Sequence, residues 1–428
     1  MGVRGTDKRI VARTRKERAR NARLAKLFAF VILLFAAFSV GFAVRGNSLL
    51  LANLGFPTSV TGISPANVES LTTKDAYNSV SGRIGEIEDL LATDSLDSYS
   101  IDSATAAAIG GFTEATADPY LRYYTAARYE QLLSTDTAGY AGIGVLFSEY
   151  NGQAYAVDVF ENSIAQLNGV KEGDFVVAID ADRSQDWSRS EVVAALNREG
   201  GSSVVVTWRR PATLESDGGE EFTTTLECST YDVSNVTTEL SDEVGYVRLK
   251  QFTNNSANLV EQALVELRSS GAEAFVLDVR DNPGGFLTQA VDVASLFMSS
   301  GAVVEVQTAG ALTVKSTSGK AVTDKPLVVL VNKNTAASAE VLVAALKESQ
   351  RATVVGATTL GKGSVQIVRE LSFGGALRYT AAYYLTPQGH DIDRVGVSPD
   401  VSVSNSEDGE SDQQKSYALE AAANLIPD

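Results

Sequence analysis

The chain is poor in the residues that build metal centres and covalent staples. It has one histidine, His390, and one cysteine, Cys228, in 428 residues. A zinc site built from clustered His and Cys ligands needs more of both, so histidine-rich metal chemistry is excluded and no metal or diffusible cofactor is implied. A single cysteine also excludes an intramolecular disulfide, which leaves the redox compartment open. Positive charge is short too: 36 Lys and Arg stand against 53 Asp and Glu, a formal net charge of -17. That balance argues against general nucleic-acid binding. What remains is a globular composition, 44% hydrophobic and 21% charged, in a chain long enough for two or three domains.

The charge is unevenly spread. Residues 1-26 hold ten Lys or Arg against Asp7 and Glu17, a net of +8, which leaves -25 for the rest. This basic arm runs into Leu27 to Val44, eighteen residues without a charge. As a helix the run would span about 27 Å, enough to cross a hydrocarbon core. The alternative is a cleaved signal peptide, for which Gly41-Phe42-Ala43 is a weak small-x-small site. The preferred reading is a transmembrane helix over 27-44 of a single-pass cell-membrane protein. The positive-inside rule then makes the 1-26 arm cytoplasmic and the chain after Arg45 extracytoplasmic. A Ser, Thr, Asn and Gly rich spacer follows over 45-75.

Region 76-137 is expected to be helical. Ile84, Ile87, Leu90 and Leu91 recur at helical spacing, and a second helix over Ala104 to Phe112 precedes the turn Asp118-Pro119. From 138 the pattern changes to short strands, and the segment runs to 230. In Tyr140-Ala141-Gly142-Ile143-Gly144-Val145 the glycines let backbone N–H groups turn toward a ligand, before a strand whose edge can accept an extended peptide. Gly142, Ile143 and Gly144 are therefore the candidate peptide-binding residues. Further on, Ser163 can cap a short helix, Gly169 can end it, and Gly173-Asp174 turns the chain into a strand over Phe175 to Ile179. Across 231-402 strands and helices alternate, which implies an α/β core. Its predicted elements include strands over Val244 to Leu249, Ala274 to Val279 and Leu327 to Val331, and helices over Asn258 to Ser269 and Val341 to Glu348. Residues 403-428 read as a polar C-terminal tail with a short helix.

Three places in this core carry chemistry. Pro283 ends a strand, and Gly284 and Gly285 can expose backbone N–H groups, as an oxyanion hole requires. Ser338 stands at a strand-to-helix turn, where N-terminal N–H groups and the helix dipole stabilise negative charge. Lys362, between Gly361 and Gly363, can serve as a general base if it is buried, which requires its pKa to fall about three units from roughly 10.4. A phosphate loop does not fit the same segment, because Gly363 stands where magnesium needs Ser or Thr. A Ser-His-Asp triad would have to use His390 with Asp391 or Asp393, in what reads as a turn.

The motifs Leu277-Asp278-Val279-Arg280-Asp281-Asn282-Pro283-Gly284-Gly285, Thr359-Leu360-Gly361-Lys362-Gly363-Ser364-Val365-Gln366 and Tyr383-Tyr384-Leu385-Thr386-Pro387-Gln388-Gly389 resemble those of the C-terminal processing peptidases, or tail-specific proteases. With Asp118-Pro119-Tyr120 and Val397-Ser398-Pro399-Asp400-Val401 the resemblance covers most of 106-402, and 138-230 resembles a PDZ domain. It implies a crotonase-like protease core, with the PDZ domain binding substrate C-termini and gating access. It also implies a Ser-Lys dyad in which Lys362 is the general base, Gln366 orients it, and Gly284 or Gly285 supplies part of the oxyanion hole. Partners would be proteins or peptides with accessible C-termini, and a homo-oligomer is left open.

One feature departs from the family pattern. There the nucleophile stands three residues before the glutamate, and counting back from Glu340 gives Ala337. The serine of the segment, Ser338, is displaced by one, which rotates a side chain by about 100° at a helix start. Ser338 is taken as the nucleophile. The expected fold is α/β: a transmembrane helix, a helical region, a PDZ domain and a crotonase-like core. The expected function is that of a membrane-anchored serine endopeptidase, with a PDZ-containing scaffold unable to cleave as the alternative.

Overall fold

Strands buried on both faces read as apolar runs, and two such strands, Ala274–Asp278, apolar up to its closing Asp278, and Leu327–Val331, lie at the centre of a six-stranded sheet. The structure is a computed structural model that describes residues 79–133, 140–184, 186–405 and 411–427. Contacts divide the chain into two units, Met1–Tyr99 and Ser100–Asp428. In the first, the helix Val80–Asp94 starts where Ser79 accepts the Gly82 N–H at 3.1 Å, and it buries none of its residues.

In the second unit the sheet order is Val401–Ser402, Thr353–Gly356, Leu327–Val331, Ala274–Asp278, Val244–Leu249, Val236–Ser241. All neighbours are parallel except the last pair. Alternate side chains divide the core between the two faces. Leu249, Leu277 and Val329 pack with Leu264, Val293 and Leu342 from the helices Ser256–Ser269, Leu287–Phe297 and Ser338–Glu348. On the opposite face Tyr246, Val276 and Leu330 meet Ala418 and Ala422 of the helix Gln413–Ala423. The region read as a polar tail thus supplies one of the sheet's covering layers. It is tied down by Arg280, which bonds buried Asp278 at 2.7 Å and Asp412 at 2.8 Å.

A second sheet carries the candidate lysine at its entrance. The strand Ser364–Glu370 pairs antiparallel with Ala376–Leu385, whose other edge pairs with Arg122–Tyr124 and Ala302–Thr308. Arg122–Tyr124 falls inside the region expected to be helical. Pro119 cannot continue a helix, and the Asp118 carboxylate pins the chain to the sheet by accepting the Thr380 N–H at 2.8 Å and its hydroxyl at 2.9 Å.

The segment from 140 to 231 forms its own layer. A five-stranded antiparallel sheet runs in the order Val145–Tyr150, Gln153–Val159, Phe175–Ile179, Ser203–Arg210, Glu220–Glu227. Val145–Tyr150 is therefore an edge strand, and the helix Arg189–Leu196 packs against it. Ile143, Phe147, Val192 and Trp208 share the core beneath.

The expected fold class needs one correction. No helix among the described residues is long and apolar enough to cross a membrane. The longest of them, Val80–Asp94, has 15 residues and contains Glu86, Glu88 and Asp89. The run 27-44, read from sequence as a transmembrane helix, lies outside the described residues. The fold is a mixed α/β architecture built on the layers above.

Candidate active site

Two turns meet at the C-terminal ends of the central strands, where open α/β sheets place their ligands. Asn282 locks them together. Its carbonyl accepts the Ala336 N–H at 2.9 Å, its side chain accepts the Gly284 N–H at 2.9 Å, and its amide donates to the Leu249 carbonyl at 3.0 Å. The glycines are sterically required. A Cβ on Gly285, at φ 144°, would lie 2.1 Å from the Phe252 carbonyl oxygen, and one on Gly284, at φ 84°, would lie 2.9 Å from the Ala337 Cβ.

The following helix starts under strain. Ala337 has φ 54° and ψ -121°, a region that L residues occupy at a cost of about 1–3 kcal/mol. It is the single residue from Asn334 to Leu346 that is not buried. Among the described residues the N–H groups of Gly285 and Ser338 have no backbone or side-chain acceptor, whereas that of Gly284 is taken by Asn282. The free pair therefore consists of Gly285 and Ser338, and of the two glycines expected from sequence it is Gly285 that has an N–H to offer.

Glu340 binds this elbow to the lysine loop. Fully buried, it accepts from the Ala337 and Lys362 N–H groups on Oε2, each at 2.8 Å. On Oε1 it accepts from the Gly361 N–H at 2.7 Å and the Thr359 hydroxyl at 2.6 Å. Burial pushes the carboxyl up to about 7, against the pull of these four donors. One oxygen thus holds the backbone of both Ala337 and Lys362.

The Lys362 side chain is largely buried, 14% exposed. Desolvation lowers its pKa to about 8, and the charge of Glu149 opposes that fall. Its Nζ lies 4.0 Å from Glu149 Oε2 and 4.9 Å from the centre of the Tyr120 ring. Burial alone would raise Glu149, but Lys362 and Arg378 together hold it down to about 2. Glu149 also accepts from Arg378 at 2.8 Å and from the Arg189 N–H at 3.2 Å, the start of the helix beside the edge strand. A cleft of about 700 Å³ opens here, lined by Pro119, Tyr120, Glu149, Leu360, Lys362 and Asp393. Glu149→Gln removes the charge that holds the lysine's proton. Lys362 should then titrate at lower pH than in the wild type, followed by NMR of ¹³Cε-labelled lysine; an unchanged titration would remove the pairing.

The residues expected from sequence are only partly brought together. The Lys362 backbone is tied to the elbow through Glu340, and Gly284 and Gly285 adjoin Ala337 and Ser338. Ser338 is 1% exposed, and its hydroxyl donates to the Gly285 carbonyl at 3.3 Å, so the expected hydrogen bond to Lys362 is not made. The reason is register: Ser338 is the first residue of its helix, and its side chain points inward. The Gln366 amide donates to Thr380 Oγ1 at 3.4 Å, while the lysine is oriented by Glu149 and Tyr120. Ile143 is buried in the layer below the edge strand, and the Ile143 and Gly144 carbonyls accept from Ala165 and Phe160. His390 is exposed and pairs with Glu348 at 3.0 Å, and its other side-chain partner is Thr386. Sequence reasoning missed Glu149 and Arg378. Each is the lone charge in its strand, which signals a buried pair but not its partner.

A buried base in a cleft, beside a strained turn with two free amides, is equipment for acyl transfer. Comparison with known proteins agrees. Residues 243–403 match the model of peptidase family S41. The chain is 35% identical over 291 residues to a carboxyl-terminal-processing protease of Synechocystis sp., covering 66% of this chain and 67% of that one. It is 28% identical to the carboxy-terminal processing protease CtpA of Bacillus subtilis, over 89% of this chain and 77% of the relative. Among solved structures, a photosystem II D1 C-terminal processing protease superposes with a TM-score of 0.63 at 27% identity, covering 80% of this chain and 91% of that one. The chain belongs to peptidase family S41, and its class is that of the serine-type, carboxyl-terminal-processing peptidases, which act on protein substrates.

Proposed function

We propose that this chain captures the extended C-terminal tails of proteins or peptides and delivers them to the cleft beside Lys362. The segment from 140 to 231 acts as a PDZ-like module. The carboxylate is received at Gly142, Ile143 and Gly144, and the tail adds as a strand to Val145–Tyr150 beside the helix Arg189–Leu196. One observation carries the reading: the free-edged strand that starts at this loop carries Glu149 next to its far end, and the Glu149 carboxylate adjoins Lys362. A tail running antiparallel to it would have its carboxylate at the loop and its upstream residues about 20 Å away, at the lysine. Lys362 is the proton acceptor there, and the Gly285 and Ser338 N–H groups are the oxyanion donors.

The test is binding of an unstructured peptide to the full chain by fluorescence anisotropy. Amidating the peptide's C-terminus should weaken binding about 10- to 100-fold, the loss of a charge-assisted hydrogen-bond set. Equal affinity for the free acid and the amide would sink the proposal. A second reading, tail capture with little turnover, is favoured by the backbone of Ala337.

A further inference from the structure

A nucleophile elbow has three marks. Its backbone is strained at a strand-to-helix turn, its side chain emerges at the surface of the site, and the residue after it supplies an oxyanion N–H. Ala337 carries all three. It follows the strand Leu327–Val331 and opens the helix Ser338–Glu348 at φ 54°. It alone emerges from an otherwise buried stretch, and the next N–H, that of Ser338, has no acceptor among the described residues. Its Cβ also stands beside the oxyanion turn, 2.9 Å from where Gly284 would carry one. Ser338 has none of the marks, since it lies inside the helix with its hydroxyl on the Gly285 carbonyl.

We infer that Ala337 occupies the nucleophile's seat, that Ser338 serves through its backbone N–H, and that the wild-type chain consequently holds tails at the cleft far longer than it cuts them. The inference rests on the tail-capture reading and specifies the turnover at that same site. Strain supports it. A strained backbone is retained only where its surroundings enforce it, and here Asn282 and Glu340 fix the turn from both sides although a methyl group draws no chemistry from it.

Ala337→Ser would complete the seat. The introduced hydroxyl gives its proton to Lys362 Nζ as its oxygen bonds to the scissile carbonyl carbon. The carbon–nitrogen bond then breaks, the leaving amine takes the proton from Lys362, and water releases the acyl group.

The experiment compares the wild type, Ala337→Ser and Ser338→Ala as full chains on an unstructured peptide with a free C-terminus, measuring binding and hydrolysis. Ala337→Ser is expected to raise hydrolysis by about 10³-fold or more, the scale on which nucleophiles contribute. Wild-type hydrolysis that Ser338→Ala abolishes overturns the inference, as does a variant that binds the tail and gains no hydrolysis. A fluorophosphonate needs no tail, so intact-mass analysis decides the matter even if no chain binds the peptide, an outcome that defeats only the tail-capture reading. One adduct on Ala337→Ser and none on the wild type supports the inference; an adduct on wild-type Ser338 overturns it.

Discussion

Adding Lys362→Ala to Ala337→Ser is expected to return peptide hydrolysis to the wild-type background, a loss of about 10³-fold or more, because nucleophile and base act as a unit. The Lys362 side chain is largely buried, and its removal leaves the nucleophile without its positioned proton acceptor. The pH profile of Ala337→Ser supplies a second signature. A base must be neutral to act, and burial brings Lys362 to about 8. The rate should therefore climb about tenfold per pH unit below that value and level off above it. A flat profile, or full activity without the lysine, would remove Lys362 from the mechanism.

The largest stability effect is expected at Glu340. Truncation to alanine leaves the Ala337, Gly361 and Lys362 N–H groups and the Thr359 hydroxyl without their acceptor. At roughly 1 kcal/mol or more for each buried unpaired donor, Glu340→Ala should cost about 4 kcal/mol, measured by urea unfolding. Glu340→Gln keeps one accepting oxygen but puts an amide donor against N–H groups, and should fall in between. A loss below about 1 kcal/mol for the alanine variant would mean that the elbow and the lysine loop are held by other contacts.

The sequence made the core legible where chemistry is local. Apolar runs marked the strands Ala274–Asp278 and Leu327–Val331, and Asn282-Pro283-Gly284-Gly285 marked a turn that only glycine can complete. Lys362 between two glycines was likewise readable as a candidate base. What was not readable depends on long-range pairing. Glu149 and Arg378 are separated by 229 positions, and neither neighbourhood names the other. The strand Arg122–Tyr124 was hidden because its partner, Ala376–Leu385, lies at the far end of the chain. The register of the elbow was the hardest case. A displacement of one residue can be absorbed by a loop or expressed in full, and only backbone angles distinguish the two. Here the turn absorbs nothing: the strained conformation stays with Ala337, three residues before Glu340.

The most direct test is a crystal structure of the wild type together with Ala337→Ser. In the wild type, Ser338 Oγ should remain on the Gly285 carbonyl. In the variant, the introduced hydroxyl should lie about 3 Å from Lys362 Nζ, within hydrogen-bond reach. Ser338 Oγ hydrogen-bonded to Lys362 Nζ in the wild type would contradict the assignment of the seat to Ala337.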